Sequence, residues 1–285
     1  MADLTPARIR LLPKRLGRIL LYLVLTLGAI LMLLPFFWMI TASFKSLNEV
    51  IQIPPQWLPK QWDFRNYPEV FRQQPLFGRY FLNSVIVAAV TVASVLITSS
   101  LAGYAFAKYN FPGKNVFFVF VLSTMMIPFQ IRMVPLFVMV SGWKLLDTYT
   151  GLILPGLVDA FGIFLMRQFI ASIPTDLIDA ARIDGASEPG IFLWIILPLI
   201  QPALSALAIF TLIGNWESFL WPLLITNSDE LRTLPIGLAL FSGRYLQRFD
   251  LQMAAATIAV LPMVLAFFVL QRRFVEGITL TGLKG

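Results

Sequence analysis

Four stretches of this chain run without a charged side chain for longer than a helix needs to cross a bilayer. They cover 26 residues between Arg18 and Lys45, 28 between Arg79 and Lys108, 28 between Glu188 and Glu217, and 21 between Asp250 and Arg272. About 20 apolar residues, rising about 1.5 Å each, traverse about 30 Å of hydrocarbon, so every one of these runs suffices. Two further apolar stretches, Asn115–Val140 and Tyr149–Met166, are interrupted by Arg132 and Asp159. The expected fold is therefore all-α: a polytopic membrane protein with six transmembrane helices at 19–42, 80–107, 115–140, 149–166, 200–226 and 251–271. Unbroken runs of this length do not suit a transmembrane barrel, whose strands are short and alternating. The first run is too long for a removable signal peptide and lacks a small-residue cleavage site after it.

Composition narrows the chemistry. Of 285 residues, 58% are hydrophobic and 13% charged, about half the charge of an ordinary soluble domain. Cysteine and histidine are both absent, which closes Ser-His-Asp hydrolysis, thiol nucleophiles, haem ligation and His or Cys metal sites. Any metal would need carboxylate or carbonyl oxygens alone. The net charge of +7 needs no nucleic-acid partner, because the N-terminal basic residues and Arg272-Arg273 have anionic headgroups to meet in a lipid bilayer. Lys and Arg divide almost evenly between the two sides, but Arg8, Arg10, Lys14, Arg15 and Arg18 precede the first span and Lys45 alone follows closely. That asymmetry places both termini in the cytoplasm. The organisation is then a basic N-terminus (1–18), a permeation domain (19–271) and a cytoplasmic tail (272–285). The outer loop 43–79, with Pro54-Pro55, Trp57, Pro59, Trp62 and Tyr67, reads as ordered turns at the membrane interface.

The most informative segment is Ser172-Ile-Pro-Thr-Asp-Leu-Ile-Asp-Ala-Ala-Arg-Ile-Asp-Gly-Ala-Ser187. Pro174 suits a first helical turn, Asp176 and Asp179 the positive end of the dipole, Arg182 the other end, and Gly185 a left-handed stop. A short helix of about ten residues is expected, presenting Ala180 and Ala181 for close backbone approach. A second helix should start near Ser187, with Pro189 in its first turn, and run to Pro198. On the residues alone, this is a connecting helix with or without a partner.

Asp179-Ala-Ala-Arg-Ile-Asp-Gly-Ala186, followed by Ile196-Leu-Pro198, resembles the EAA loop of ABC importer permeases. Phe111-Pro-Gly113, Met125-Met-Ile-Pro128, Gly151-Leu-Ile-Leu-Pro155, Phe164-Leu-Met-Arg-Gln-Phe169, Phe219-Leu-Trp-Pro222 and Gly282-Leu-Lys-Gly285 are similar to the carbohydrate-importer branch, in particular to the second permease of maltose, trehalose and glycerol-phosphate systems. The resemblance implies one permease subunit of a binding-protein-dependent sugar importer in a bacterial or archaeal cytoplasmic membrane. It also implies the partners: a second homologous permease, a dimeric cytoplasmic ATPase that holds ATP and Mg, an extracytoplasmic solute-binding protein, and a sugar or sugar-derivative substrate. No cofactor is expected in this chain, which is not itself an enzyme; it has no phosphate-binding loop, and Gly113-Lys114-Asn115 lacks both the spacing and the hydroxyl.

By the resemblance, Asp179, Ala180, Ala181, Asp184, Gly185 and Ala186 form a coupling helix seated on the ATPase. Asp179 stands where the family carries Glu, one methylene shorter toward an ATPase arginine. Lys284 and Gly285 would belong to a tail reaching between ATPase subunits, and the loop at about 227–251, with Gly237 and Gly243, would face the binding protein. Asp159 and Glu217 are the acids inside expected spans, and Asn215 and Trp216 adjoin Glu217. Amide, carboxylate and aromatic ring together suit either sugar contact along a substrate pathway or polar bonding between helices. The resemblance places the main transmembrane sugar site in the other permease. Arg132, about 26 Å along a continuous helix from Asn115, should snorkel to the outer interface, with Met125 and Met126 as packing. The competing class is an ion-coupled secondary carrier for a small polar solute, which would commonly show matched halves.

Overall fold

A computed structural model describes residues 14–244 and 248–282, and every regular element among them is helical. In chain order come α1 (Lys14–Ala42), α2 (Leu47–Val50), α3 (Asn66–Gln73), α4 (Phe77–Lys108) and α5 (Lys114–Met125). There follow α6 (Phe129–Gly142), α7 (Tyr149–Ile153), α8 (Ala160–Ala171), α9 (Thr175–Ile183) and α10 (Glu188–Ile191). The chain continues through α11 (Leu197–Leu199), α12 (Gln201–Trp216), α13 (Leu220–Ile225), α14 (Leu234–Arg244) and α15 (Phe249–Gly282). Two compact units result, 14–69 with 248–257 and 70–244 with 258–282.

Three helices are long and apolar enough to span a membrane: Gly17–Ala42, Phe77–Lys108 and Phe249–Val269. Three more candidates are bent pairs rather than the continuous helices expected. Lys114–Met125 meets Phe129–Gly142 at 100°, Tyr149–Gly156 meets Ala160–Ala171 at 43°, and Glu188–Leu199 meets Gln201–Trp216 at 76°. Proline accounts for the sharpest bend. Pro128 has no N–H to give Thr124, and it biases Ile127 away from helical geometry; its own backbone is extended at φ −56°, ψ 142°. The expected span 200–226 is also divided, because α12 closes at Glu217 and α13 starts only at Leu220, with Pro222 in its first turn. Phe192–Ile196 is π-helical. That widening accommodates Pro198, which cannot donate to Trp194.

The core of the second unit is α4 against α8 and α12. Ser84, Ala88, Thr91, Val95, Ser99 and Gly103 are buried along α4 at steps of three and four, a stripe of small residues that lets backbones approach closely. A Cβ on Gly103 would lie 2.6 Å from Met166 Cβ, and one on Gly162 would lie 2.4 Å from Ser99 Oγ. Irregular backbone at the α7–α8 break is satisfied from the same helix. Leu157 O accepts from Ser94 Oγ at 2.9 Å and from Thr98 Oγ1 at 3.2 Å, as apolar surroundings require. Asn83 is a second anchor: its Nδ2 donates to Glu230 O and Arg232 O at 2.9 and 2.8 Å, and its Oδ1 accepts from Tyr149 at 2.6 Å.

The segment read as a loop at about 227–251 contains α14. Gly237 sits where a Cβ would lie 2.1 Å from the Tyr80 ring, so it serves helix packing rather than flexibility. Residues 272–282 of the expected tail are helical, as the end of α15. Lys284 and Gly285 lie outside the described residues.

In the first unit, α1 exposes nearly every side chain from Ile19 to Phe37, a lateral surface suited to hydrocarbon. The loop after it is ordered, as its prolines and aromatics imply. Asn66 Nδ2 donates to Ser43 O and Lys45 O at 2.9 and 2.8 Å, and Phe44 packs among Trp62, Phe64 and Tyr67. Buried Lys45 lies 4.1 Å from the Trp38 ring centre and donates to Gln56 O. Burial lowers its pKa, only partly offset by Glu49.

Candidate functional site

In the second unit, polar side chains meet accessible surface at the short helix α9 with the turn after it, and at a cavity at the helix breaks.

Helix α9 ends in a Schellman motif. Gly185 is left-handed at φ +82°, its N–H donates to Arg182 O at 3.0 Å, and Ala186 N–H reaches Ala181 O at 2.9 Å. Nothing lies within 4 Å of a Cβ built there, so the glycine answers to backbone conformation, not space. Ser187 then caps α10, accepting from Gly190 N. Ile178 and Ala181 point into the core, whereas Asp176, Leu177, Ala180, Ile183 and Asp184 are exposed. Ala181 is thus a packing residue, 9% exposed, rather than part of a presented pair with Ala180. Two apolar side chains not singled out in the sequence share the outer face, Leu177 at 48% and Ile183 at 86% exposed.

Asp179 is paired within the chain. Arg182 Nη1 donates to its Oδ1 at 3.0 Å, while Arg182 Nε donates to Glu188 Oε1 at 2.6 Å and Nη2 to Glu188 Oε2 at 3.3 Å. Tyr109, one residue past α4, donates to the same Glu188 carboxylate, and Lys108 donates to Ile173 O just before α9. Burial and the Glu188 hydrogen bond push the Tyr109 phenol pKa up, so it remains a donor. Sequence reasoning passed over Tyr109 and Glu188. An ion pair at i,i+3 is readable in a helix, but a contact between residues 79 apart carries no local signal.

The cavity, about 370 Å³, is lined by Thr91, Thr124, Arg132, Asp159, Phe210 and Asn215 among others. The bend at Pro128 places Arg132 there and removes the expected continuous helix that would have carried it to the interface. Asp159 begins α8 as its N-cap, accepting from Phe161 N at 3.3 Å and Gly162 N at 2.9 Å. Asn215 donates to Thr211 O at 2.9 Å and lines this cavity and a second one. Trp216 faces elsewhere: it is buried, donates from Nε1 to Ala259 O at 3.0 Å and meets Phe81 edge-on. Glu217 is exposed at the end of α12. Met125 lines the cavity, and Met126 is 83% exposed rather than packed. A larger groove of about 900 Å³ is walled mainly by Leu96, Leu101, Phe192, Leu193, Leu197 and Leu204; it offers apolar contact rather than chemistry.

Residues 94–279 match the family described as binding-protein-dependent transport system inner membrane component. The arabinooligosaccharides transport system permease protein AraQ of Bacillus subtilis (strain 168) is 37% identical, over 94% of this chain and 96% of AraQ. The lactose transport system permease protein LacG of Rhizobium radiobacter is 34% identical, over 93% and 96%. Among solved structures, a bacterial ABC transporter involved in the import of the acidic polysaccharide alginate superposes with a TM-score of 0.81 at 26% identity, covering 95% of this chain and 100% of that one.

Proposed function

This chain belongs to the binding-protein-dependent transport system inner membrane components, and from that premise we propose that it is a permease subunit of an ATP-driven sugar importer. Each bent pair counts as one span, giving six, with both termini in the cytoplasm. The chain supplies half of a translocation pathway, and a second homologous permease supplies the rest. An extracytoplasmic binding protein delivers the saccharide, and ATP with Mg is hydrolysed in a separate dimeric ATPase. Lys284 and Gly285, outside the described residues, are assigned a contact with that ATPase.

The observation that carries the coupling role is α9. It is a nine-residue helix with an outer face of Asp176, Leu177, Ala180, Ile183 and Asp184, held by Arg182, Glu188 and Tyr109 to the end of α4. Asp179, Ala180, Asp184, Gly185 and Ala186 form or border the surface that meets the ATPase, and Ala181 anchors it from behind. Movement imposed on such a rigid knob passes to the spans, because the ion-pair cluster and the buried Ile178 leave it little independent freedom. The pathway itself passes the cavity that Asp159 and Asn215 line, with Glu217 near its end and Trp216 bracing the wall.

The ion-coupled carrier is not favoured, since the family works with a binding protein. Uptake into inverted or right-side-out vesicles of the assembled complex separates the two. ATP- and binding-protein-dependent uptake that vanadate abolishes and an uncoupler leaves intact is expected. Uptake by this chain alone, driven by an ion gradient, would overturn the proposal.

A further inference from the structure

We propose that this subunit holds a saccharide subsite of its own, in the cavity where the α5–α6 and α7–α8 pairs break; the inference rests on the permease reading above. A volume of about 370 Å³ falls within the range of small-molecule sites, about 300–1,000 Å³.

Its lining is chemically mixed in a way that selects hydroxyl groups. The Arg132 guanidinium, which forms no ion pair among the described residues, supplies donors. Asp159 supplies an acceptor held rigid by the N–H groups of Phe161 and Gly162, with lone pairs to spare. In the wall, Thr91 is 1% exposed and its Oγ1 has no hydrogen-bond partner among the described residues. A buried hydroxyl left unbonded in apolar surroundings is costly, so the site is more stable when something polar enters. Phe161 and Phe210, edge to face with centroids 6.0 Å apart, remain 36% and 49% exposed and give the apolar C–H face of a ring a platform.

An anion would meet Asp159 and a cation would meet Arg132, while an apolar molecule would leave Thr91 unbonded. A polyhydroxylated ring satisfies all three, because each hydroxyl both donates and accepts. Arg132 is the specificity-determining donor, and Thr91 offers a hydroxyl in the wall.

The absence of cysteine makes the test direct. Thr124→Cys and Met125→Cys, at two accessible positions of the cavity lining, are introduced singly into the assembled importer with its partner permease, ATPase and binding protein. Labelling of this chain by a small methanethiosulfonate is followed with arabinotriose, lactose or an alginate trisaccharide as probe, beside uptake of the same probes. Whichever probe is imported is expected to slow labelling at both positions. In the complex without introduced cysteines, Arg132→Gln should raise the uptake KM about tenfold, the loss of roughly one charge-assisted hydrogen bond, with Arg132→Lys recovering part of it. Import of a probe with labelling unaffected at both cysteines overturns the subsite alone. Import of a probe that vanadate leaves intact and an ion gradient drives overturns the permease reading and the subsite with it.

Discussion

Across the turn at Gly185, Arg182 Nε donates to Glu188 Oε1 at 2.6 Å, tying the last turn of α9 to the first turn of the helix that follows. Tyr109 closes the link from α4 by donating to the same carboxylate. Asp179 therefore already has a cation, Arg182, 3.0 Å away, and any ATPase arginine must share it or displace it. Glu188→Ala should loosen α9 from α4 and lower the ratio of transported substrate to ATP hydrolysed, with Glu188→Gln intermediate because it keeps an acceptor. The paired measurement is uptake and ATP hydrolysis in the same reconstituted sample. An unchanged ratio in Glu188→Ala would show that the link carries no coupling.

Gly185→Val should uncouple the system by a different route. A β-branched residue at φ +82° costs about 1–2 kcal/mol in the left-handed region, enough to shift the turn although no side chain obstructs it. Gly185→Asn, which tolerates that conformation, should stay close to wild type. Binding-protein-stimulated ATP hydrolysis retained in full by Gly185→Val would count against the role given to this turn.

Gly103 and Gly162 set how closely α4 and α8 approach. Leucine at either position must displace backbone or Ser99, and overpacking of this kind costs typically about 1–3 kcal/mol. Both variants should show a lower thermal midpoint in detergent, whereas Gly142→Ala, with nothing within 4 Å of its Cβ, should shift it little. Equal midpoints for all three would mean that the helices have room to spare.

Asp147 fastens the turn before α7 to the end of α13. Its Oδ1 accepts from Asn227 N and Ser228 N, both at 3.0 Å, and from Ser228 Oγ at 2.9 Å. The Ser228 backbone hydrogen bond, opposed in part by burial, holds its pKa below the usual carboxylate range. A depressed folded-state pKa stabilises above the unfolded value of about 3.9 and ceases to do so as pH falls through the folded value. The thermal midpoint of wild type should therefore fall more steeply below about pH 4 than that of Asp147→Asn, which tolerates the left-handed φ of 57° at this position but has no proton to take up. Parallel profiles would remove Asp147 from the acid response.

Run length alone made the helices legible, because about 20 uncharged apolar residues have few alternatives. The breaks within them were not. Pro128, Pro155 and Pro222 were visible, but proline is tolerated inside spanning helices when neighbours satisfy the freed carbonyls, and whether a helix bends or stops depends on those neighbours. Here Trp221 Nε1 reaches Gly151 O, the carbonyl that Pro155 frees, 70 residues away, and Ser94 and Thr98 of α4 reach Leu157 O, about 60 residues later in the chain. Asp159 was read as a buried acid in need of a partner, and local capping by Phe161 and Gly162 answers that need. The turn at Gly185 was readable because its signal is local. The Glu188 cluster and the partner-free Thr91 depend on contacts distant in sequence and emerged only with the fold.

The central claim is that the outer face of α9 receives the ATPase. Cysteine placed singly at Leu177 or Ile183, in a chain that has none of its own, can be tested for disulfide or short bismaleimide cross-linking to cysteines on the ATPase surface in the assembled complex. Cross-links from both positions, altered in yield by ATP binding, and none from a control cysteine at Trp57 in the loop after α1, are the expected result. Cross-links absent from both α9 positions in a complex that still transports would contradict it.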